Sequence, residues 1–344
     1  MFRGLKIAAF RLAKQTGITS WVSNSAWRRR RLLILCYHGV SFDDEHLWRP
    51  GLYIPPEQFR ARMKAVVDAG CNVLPLGEAL DRLHAGTLPP RAVALTFDDG
   101  TYDFFRLACP ILQEFRLPVT VYVPSYYAEY NRPVFDVMCS YLLWKSRGRT
   151  IEWPGVLPDA ISLDETGIEK ASIAIRDHAE REKLSGRDKD GLLAMLASKL
   201  NIDYEALCAK RILCVMTPEE VAEAAAAGVD IQLHTHRHRT PVNRELFIRE
   251  ITDNRERIEK WSGIQARHFC YPSGVYVPQF FGWLRECEVE SATTCEPGFC
   301  TQSANPFALP RLLDSCWLTS TEFETWLSGL AALVRRRSES GEAH

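Results

Sequence analysis

The chain has 344 residues, 46% hydrophobic and 25% charged, which allows one large domain or two small ones and excludes a disordered or fibrous protein. It contains no run of about 18 or more uncharged apolar residues, so we expect no membrane-spanning helix. The formal net charge is -1, but residues 1–31 contain eight basic residues and no acid, so the remaining residues carry -9. General nucleic-acid binding needs a basic face, so a negatively charged body of this kind excludes a general nucleic-acid binder.

The first predicted element is an amphipathic helix in the basic N-terminal segment 1–31. Apolar residues recur there at helical spacing, with basic residues between them, at Phe2, Leu5, Ala9, Leu12 and Ala13. This pattern is typical of a helix on an anionic membrane surface, and a helix packed on its own domain is the alternative. Basic residues interrupt the apolar run and no small-residue cleavage site follows, so we expect a cytoplasmic protein with peripheral contact at the inner membrane face. The eleven cysteines are scattered without a C-x-x-C pair, which favours a reducing compartment.

Strand and helix signals then alternate along the chain. Apolar runs predict strands over 32–37, 71–74, 92–97 and 118–123, and helices over 55–70, 76–85 and 103–115. Residues 124–216 break the alternation with helical stretches at 136–145, 168–184 and 189–200, which predicts a largely helical insertion. Further strands follow over 229–233, 266–271 and 289–294, with helices from Pro218, after Pro241 and over 278–287 and 323–334. Alternating strands and helices predict parallel β/α units, in which chemistry is placed at the carboxyl ends of strands.

Asp98 and Asp99 follow the predicted strand over 92–97, within the sequence Thr-Phe-Asp-Asp-Gly. Two adjacent carboxylates repel each other unless a cation compensates their charge. A bound metal would do so, with one acid as its ligand and the other as acceptor of a proton from bound water. The alternative is a simple Asp-Asp-Gly turn.

Three histidines lie within five residues after the strand over 229–233, in the sequence His-Thr-His-Arg-His. His234 and His238 are one helical turn apart, so both imidazoles can face one point and bind zinc together with a carboxylate. We expect His236 to face elsewhere. A solvated loop with incidental histidines is the alternative.

A Pro–Gly turn follows the next strand, in the sequence Phe-Cys-Tyr-Pro-Ser-Gly over residues 269–274, and can present a backbone N–H to an oxyanion. Together the three motifs resemble those of the NodB-homology polysaccharide deacetylases, carbohydrate esterase family 4, and in particular the Phe-x-Tyr-Pro-x-Gly branch that includes poly-N-acetylglucosamine deacetylases. The resemblance covers residues 32–318 apart from the insertion, which leaves the basic segment 1–31 and a C-terminal helix and tail over 319–344. It implies an α/β fold, a distorted and incomplete (β/α) barrel.

The resemblance also implies a role for each motif residue. Asp99, His234 and His238 are expected to hold one divalent metal ion, usually Zn²⁺, and Asp98 is expected to be the general base. Metal-bound water is expected to attack the carbonyl carbon of an N-acetyl group on an amino sugar, with a backbone N–H near Ser273 stabilising the oxyanion. Acetate and a free amine are the expected products. Tyr271 and Pro272 are expected to contact the substrate.

This sequence departs from the family pattern at two catalytic positions. Many members have an arginine in the third motif that orients the catalytic aspartate, whereas this chain has Cys270. Arg311 is the nearest candidate replacement, and Arg267 is a weaker one. The histidine of the family's fifth motif is missing as well. His38, at the end of the strand over 32–37, is expected to take its place as general acid, since its ordinary pKa of about 6.5 suits protonation of a leaving amine.

Asp314 and Trp317 loosely match the family's fourth motif. Trp317 is predicted either to form a wall of the substrate pocket or to belong to the core.

The function expected from these features is metal-dependent de-N-acetylation of a bacterial polysaccharide, glycolipid or precursor, as in exopolysaccharide or lipopolysaccharide biosynthesis. The expected partner is an N-acetylated glycan or lipid-linked sugar, and not a nucleic acid. Three alternatives stay open: a deformylase of a lipid-linked amino sugar, a metal-independent amidohydrolase and a non-catalytic carbohydrate-binding protein. Several divalent ions fit two histidines and a carboxylate, so the sequence leaves the metal open.

Overall fold

A computed structural model describes residues 2–334, so the predicted tail from residue 335 lies outside the described residues. The strands within this range are β1 (Leu33–Tyr37), β2 (Gly39–Val40), β3 (Tyr53–Ile54), β4 (Asn72–Val73), β5 (Ala92–Phe97), β6 (Thr120–Val123), β7 (Thr150–Ile151), β8 (Ile161–Ser162), β9 (Asp230–Leu233), β10 (His268–Cys270), β11 (Ser291–Thr293) and β12 (Leu312–Leu313).

The helices are α1 (Phe2–Gln15), α2 (Ile18–Ser23), α3 (Ala26–Arg29), α4 (Glu45–Trp48), α5 (Pro56–Asp68), α6 (Leu76–His84), α7 (Cys109–Glu114), α8 (Ser125–Tyr130), α9 (Phe135–Lys145), α10 (Glu165–Arg181), α11 (Gly186–Lys199), α12 (Tyr204–Ala209), α13 (Pro218–Ala226), α14 (Arg244–Ser262), α15 (Phe280–Glu286) and α16 (Ser320–Ser328). Each helix within residues 2–334 is too short or too polar to cross a bilayer.

Eight of these strands form one parallel sheet that curves into a distorted barrel. Their order is β11–β10–β9–β6–β5–β1–β12, and β4 pairs with the first part of β5. The short segment 309–313, which contains β12, lies between β11 and β1, and we call this part of the barrel the seam. Leu309 bridges Thr293 of β11, and Leu312 pairs with Leu35 of β1. The predicted incomplete (β/α) barrel is thereby confirmed.

Side chains of the barrel strands alternate between the inside and the outside, because successive strand residues project to opposite faces. In β5, Val93 and Leu95 pack in the large core beneath the outer helices, whereas Ala92 and Ala94 belong to a smaller core inside the barrel. The same alternation places Asp98, just beyond the end of β5, in the inner series. The Asp98 carboxylate is therefore directed into the barrel mouth by strand geometry.

The insertion has an apolar core of its own. Helices α9, α10 and α11 bury Leu142, Ile175 and Leu196 there, beside the antiparallel pair β7–β8. Tyr53 of β3 also belongs to this core, so the insertion rests on the barrel at its carboxyl-terminal rim.

Two predicted helices differ from the structure for identifiable reasons. The predicted helix over 103–115 begins with a π-helical turn, Phe104–Ala108, before α7, because Pro110 has no N–H to donate to the preceding turn. The helix predicted over 323–334 begins earlier, where the Thr319 hydroxyl accepts a hydrogen bond from the backbone N–H of Glu322. It is then interrupted at Gly329, whose φ is 94°, and residues 330–334 are helical again.

Candidate active site

The predicted catalytic residues meet at the carboxyl ends of the barrel strands. Asp98 and Asp99 follow β5, His234 follows β9 and His38 follows β1, while Arg311 lies in the segment 309–313 that spans the seam. Parallel strands present these ends at one edge, so residues far apart in sequence become neighbours.

Asp99, His234 and His238 converge on one point. Oδ1 of Asp99 lies 3.1 Å from Nε2 of His234 and 3.0 Å from Nε2 of His238. Nδ1 of His234 lies 2.9 Å from the carbonyl oxygen of Cys270, and donation to that carbonyl fixes the ring proton on Nδ1. The Nε2 lone pair of His234 then faces a carboxylate oxygen, a contact that favours a cation between them. Two imidazoles and one carboxylate are a donor set that fits zinc.

The charges in this triad reinforce each other. Burial alone would raise the pKa of Asp99, but the charge of His238 and the close contacts with both imidazoles hold it well below its ordinary value. Burial likewise opposes the charged form of His238, and the Asp99 carboxylate outweighs it and raises the pKa of that imidazole. The carboxylate is therefore ionised and ready to bind a cation.

The loop that carries the histidines is not the helical turn that their spacing predicts. Thr235 and His238 have φ angles of 62° and 54°, in the left-handed region, which breaks any helical hydrogen-bond pattern. Helix α14 holds the loop instead. Asn254 Oδ1 accepts from the backbone N–H of His234 at 2.9 Å, and the Glu250 carboxylate accepts from that of Arg237 at 2.8 Å. The ligand geometry thus depends on anchors outside the motif.

These two anchors were missed by the sequence analysis, although one signal was present. Asn254 lies between the apolar residues Ile251 and Ile258 on the buried face of α14, and a polar residue in that position points to a buried hydrogen-bonding role. His236 faces away from the triad, as expected, with Nδ1 2.9 Å from the Ser125 hydroxyl.

Asp98 is held by Arg311 through two parallel hydrogen bonds. Nη1 and Nη2 of Arg311 lie 2.7 Å from Oδ1 and Oδ2 of Asp98, and both side chains are buried. Nε of Arg311 donates to the carbonyl oxygen of Thr294 at 2.9 Å, which fixes the plane of the guanidinium. Burial favours the neutral form of Asp98, but the charge of Arg311 outweighs it and holds the pKa well below its ordinary value.

Two buried thiols complete the surroundings of Asp98 and were not predicted. Sγ of Cys270 lies 3.3 Å, and Sγ of Cys36 3.6 Å, from Oδ2 of Asp98. Burial raises the pKa of both thiols well above the ordinary value, so both are neutral S–H groups directed at the carboxylate. Side chains alternate between the two faces of a strand, so Cys36 of β1 lies on the same inner face as Ile34. This alternation is the sequence signal that could have identified Cys36.

His38 lies beside Asp98, with Nε2 3.6 Å from Oδ2 of the carboxylate. Its Nδ1 is buried and has no hydrogen-bond partner among the described residues. Burial lowers the pKa of His38 despite the nearby acids, so the imidazole is neutral near pH 7.

The Pro–Gly turn lies next to the Asp98–Arg311 pair. Gly274 has a φ of 67°, and a Cβ there would come within 3.1 Å of Sγ of Cys295, which lies 3.9 Å from Nη2 of Arg311. Ser273 is exposed on this turn, also in the left-handed region, with a φ of 57°. A side chain at position 274 would crowd Cys295 and strain the left-handed backbone, so glycine suits this position.

Three other predicted positions lie away from the triad or in the core. Tyr271 and Pro272 are buried, and the Tyr271 hydroxyl donates to the carbonyl oxygen of Phe307 at 2.9 Å, so strand alternation directs this ring into the core and not toward a substrate. Arg267 precedes β10, at the opposite edge of the sheet from Asp98, and pairs with Glu290.

The fourth-motif residues have separate environments. Asp314 is buried, and its Oδ2 lies 3.0 Å from Nε of Arg62. The same oxygen accepts a hydrogen bond from the Tyr37 hydroxyl at 3.0 Å. Trp317 is 63% exposed on the loop after β12, against Gly51, and is therefore not part of the core.

A family model of polysaccharide deacetylases matches residues 85–292. YxkH of Bacillus subtilis, whose name also refers to polysaccharide deacetylases, is 29% identical over 111 residues, which make up 32% of this chain and 37% of YxkH. The match therefore spans little more than a third of that relative.

Solved structures of deacetylases share the fold. Deacetylase PplD of Streptococcus pyogenes, in complex with acetate, has a TM-score of 0.57 and 17% identity, covering 85% of this chain and 96% of PplD. IcaB of Ammonifex degensii has a TM-score of 0.55 and 18% identity, covering 88% of this chain and 97% of IcaB. BC0361, a polysaccharide deacetylase of Bacillus cereus, has a TM-score of 0.54 and 17% identity, covering 86% of this chain and 69% of BC0361. Since the family model covers more than half of the sequence, this chain belongs to the polysaccharide deacetylase family.

Proposed function

We propose that the chain is a metal-dependent hydrolase that removes N-acetyl groups from an amino sugar in a bacterial polysaccharide, glycolipid or precursor. The observation that carries this proposal is the placement of a His-His-Asp donor set next to an ionised carboxylate held by an arginine. Asp99, His234 and His238 would hold the ion. When bound, a divalent metal such as Zn²⁺ supplies a Lewis acid that makes water a better nucleophile and polarises the amide carbonyl.

Asp98 is the proposed general base, and its carboxylate accepts the proton of the attacking water. Arg311 fixes the plane of the carboxylate, so its remaining lone pairs have one orientation. A carboxylate with so low a pKa is a weak base and holds the proton only briefly. The neutral His38, 3.6 Å from Oδ2, is the proposed next acceptor, and from Nε2 it protonates the leaving amine.

The exposed turn at Ser273 is the proposed source of a backbone N–H for the oxyanion, since it lies beside the Asp98–Arg311 pair. The overall reaction adds water across the amide and releases acetate and a free amine. The acetate complex of PplD, a protein of the same fold, supports a site of this kind that accommodates the acetate product.

The donor set and the Asp98–Arg311 pair argue against two alternative functions. A metal-independent amidohydrolase would not require two histidines directed at one carboxylate oxygen. A non-catalytic protein would not require a buried carboxylate that is held by two hydrogen bonds from an arginine. A deformylase uses the same chemistry on a smaller acyl group. The two activities are therefore distinguished by an assay that compares the acyl groups released.

The direct test measures acetate and formate released from matched N-acetyl and N-formyl amino sugars, each as free, nucleotide-linked, lipid-linked and oligomeric forms. We expect acetate release by the wild type, and a loss of about 10²–10⁴-fold in Asp98→Asn, as for removal of a general base. The control is Asp159→Asn, at an exposed position in the insertion, which should retain wild-type activity. Full activity of Asp98→Asn would show that Asp98 is not the base.

We also propose peripheral contact with anionic membranes through α1. Leu5, Ala9 and Leu12 form one exposed stripe at helical spacing, with Leu5 65% and Leu12 60% exposed. The adjoining face buries Phe10 and Ala13 against the domain, so the helix is anchored and its outer apolar stripe stays uncovered by described residues. Such a stripe, flanked by basic side chains, fits the interface of an anionic membrane and supports a lipid-linked substrate.

A further inference from the structure

A basic cavity of about 680 Å³ lies at the amino-terminal end of the barrel. One wall consists of the three arginines at positions 29–31, which come just before β1, and another of the polar residues 301–303. Leu83 and Gly86 at the end of α6, with Leu88 before β5, complete the lining. The proposed catalytic residues follow the carboxyl ends of the strands, so the cavity and the candidate active site lie at opposite ends of the barrel.

Hydrogen bonds hold the walls of this cavity together. Leu32 and Cys300 exchange two backbone hydrogen bonds, of 3.1 and 2.9 Å, which join the arginine segment to the wall over 301–303. Nε2 of Gln302 donates to the carbonyl oxygen of His84 at 2.8 Å and ties the same wall to α6. The cavity is therefore formed by backbone that is fixed in place on each side.

The arginine segment is itself braced from below. Arg28 is buried, and its Nη1 donates to the carbonyl oxygen of Arg31 at 2.7 Å. The guanidinium of Arg31 lies over the Trp27 ring, 4.3 Å from its centroid, and donates to the Trp27 carbonyl oxygen at 2.7 Å. A side chain held in this way loses less conformational entropy when it binds a ligand than a mobile one does.

The charged groups that line the cavity are all positive. No aspartate or glutamate among residues 2–334 lines it, and Arg29 and Arg30 form no ion pair within that range. Guanidinium groups that share one cavity repel each other, and an anion bound between them offsets this repulsion. The hydroxyls of Thr301 and Ser303, 3.3 Å apart, add neutral hydrogen-bond donors on the facing wall.

This set of donors suits a phosphate group. A guanidinium presents a planar fork of N–H groups that binds two phosphate oxygens at once. Several arginines match the charge of a phosphate monoester or a diphosphate, whereas the single charge of a carboxylate needs only one. Leu83 and Leu88 provide apolar surface for carbon atoms attached to the phosphate. The volume of the cavity is within the range of small-molecule sites.

We propose that this cavity binds the phosphate group of an organic phosphate, a monoester or a diphosphate, at a site separate from the proposed deacetylation chemistry. The same donors recognise the group in a soluble compound and in a lipid headgroup, so the two sources are distinguished by experiment. The inference does not depend on the proposed function, because binding in this cavity involves none of the residues assigned to that chemistry.

The test measures binding of inorganic diphosphate and of glycerol 3-phosphate to the full chain by isothermal titration calorimetry. We expect the wild type to bind, and Arg29→Ala/Arg30→Ala to have a dissociation constant at least about tenfold higher, because two charged donors are lost. Arg29→Lys/Arg30→Lys keeps the charge but not the fork and should bind with intermediate strength. Lys170→Ala/Arg187→Ala removes two exposed charges from the insertion and should bind as the wild type does.

Two further arms separate this cavity from other sites. Diphosphate also binds metal ions, so each titration is repeated in the Asp99→Ala/His234→Ala background, where the same tenfold difference is expected. Ser303→Asp places a carboxylate opposite the arginines without removing any of them, and it should also weaken binding at least about tenfold. Thermal melting confirms that each variant is folded.

Sedimentation with vesicles that contain phosphatidic acid identifies the source of the phosphate. Weaker sedimentation of Arg29→Ala/Arg30→Ala than of Lys170→Ala/Arg187→Ala, which has the same net charge, supports a lipid headgroup. Equal sedimentation together with weaker diphosphate binding supports a soluble compound. A wild type that binds neither the soluble phosphates nor the vesicles overturns the proposal, as do arginine variants that bind both like the control, or Ser303→Asp that binds like wild type.

Discussion

At the residue scale, Asp98 and Asp99 are neighbours in the chain with different surroundings. Asp98 continues the inner series of β5 and binds Arg311, whereas Asp99 has a φ of 67° and faces His234 and His238. The left-handed conformation turns the second carboxylate away from the first, which suits the proposed roles of Asp98 as base and Asp99 as metal ligand. This division is the residue-level basis of the proposed function.

Arg311 positions Asp98, so its removal should affect turnover more than metal binding. In Arg311→Ala the buried carboxylate loses its partner and its fixed orientation, and we expect kcat to fall at least about 10²-fold while metal content stays at the wild-type level. Steady-state acetate release and elemental analysis measure the two quantities. The matched control is Arg267→Ala, which removes a surface arginine paired with Glu290 and should change neither. Equal activity of the two variants would contradict the positioning role.

Asp314 is expected to stabilise the fold through a buried ion pair. Removing it in Asp314→Ala leaves Arg62 buried without its carboxylate partner, a change that typically costs about 3–5 kcal/mol of unfolding free energy. Urea unfolding measures this loss. Asp68→Ala breaks the exposed pair with Lys64 and should change stability little. A small effect of Asp314→Ala would show that Arg62 finds other partners.

At the element scale, the sequence identified long elements well and short ones poorly. The apolar runs of β1 and β5 and the proline and glycine boundaries of α5 carry strong local signals, so they were predicted within a few residues. Two-residue strands such as β2 and β12 carry no periodicity, and the seam segment 309–313 is defined by its pairing with both neighbouring strands. The position of Arg311 beside Asp98 was therefore available only as an expectation from family resemblance.

The loop after β9 shows a second limit of sequence reasoning. A spacing of four residues fits a helical turn, but two left-handed residues and the anchors Asn254 and Glu250 bring His234 and His238 together in another way. Tertiary hydrogen bonds determine this geometry, and residue spacing alone contains no information about them.

The turn after β5 should make stability depend on pH through Asp103. Burial raises its pKa to about 8, although the backbone N–H of Val40 donates to it at 2.8 Å. The pKa of an unfolded aspartate is about 3.9, so between about pH 4 and 8 the folded state binds a proton that the unfolded state lacks, and stability falls as pH rises. Asp103→Asn cannot ionise and retains an acceptor oxygen. We therefore expect the melting temperature of Asp103→Asn minus that of wild type to be larger at pH 8 than at pH 5.

Calorimetry at the two pH values measures this difference, with the exposed Asp68→Asn as the control that should show none. An equal difference between Asp103→Asn and wild type at both pH values would show that Asp103 is ionised in the folded state throughout.

At the scale of the whole molecule, the basic N-terminal segment is only partly available to an external partner. Arg28 is buried and donates to the carbonyl oxygens of Ala92 and Leu327, while Arg3 pairs with Glu322. Lys6 and Arg11 are exposed on α1 near its apolar stripe. Both sequence interpretations of this helix thus have a structural counterpart, one face packed on the domain and one face exposed.

Membrane contact through α1 predicts selective binding to anionic vesicles. We expect the chain to sediment with vesicles that contain phosphatidylglycerol and not with pure phosphatidylcholine, because both charge and apolar burial contribute. The double variant Leu5→Gln/Leu12→Gln should bind at least about tenfold more weakly, since it removes two apolar side chains from the interface. Ile173→Gln, at an exposed apolar position of the insertion, is the control. Unchanged binding of the double variant would argue that α1 is not the contact surface.

The metal content of the purified chain tests the central claim most directly. Elemental analysis of wild type should find about one divalent ion per chain, and the double variant Asp99→Ala/His234→Ala should have lost it while keeping a cooperative thermal transition. Retention of the same metal by the folded double variant, or an empty wild type even after addition of zinc or cobalt, would contradict a metal site formed by Asp99, His234 and His238.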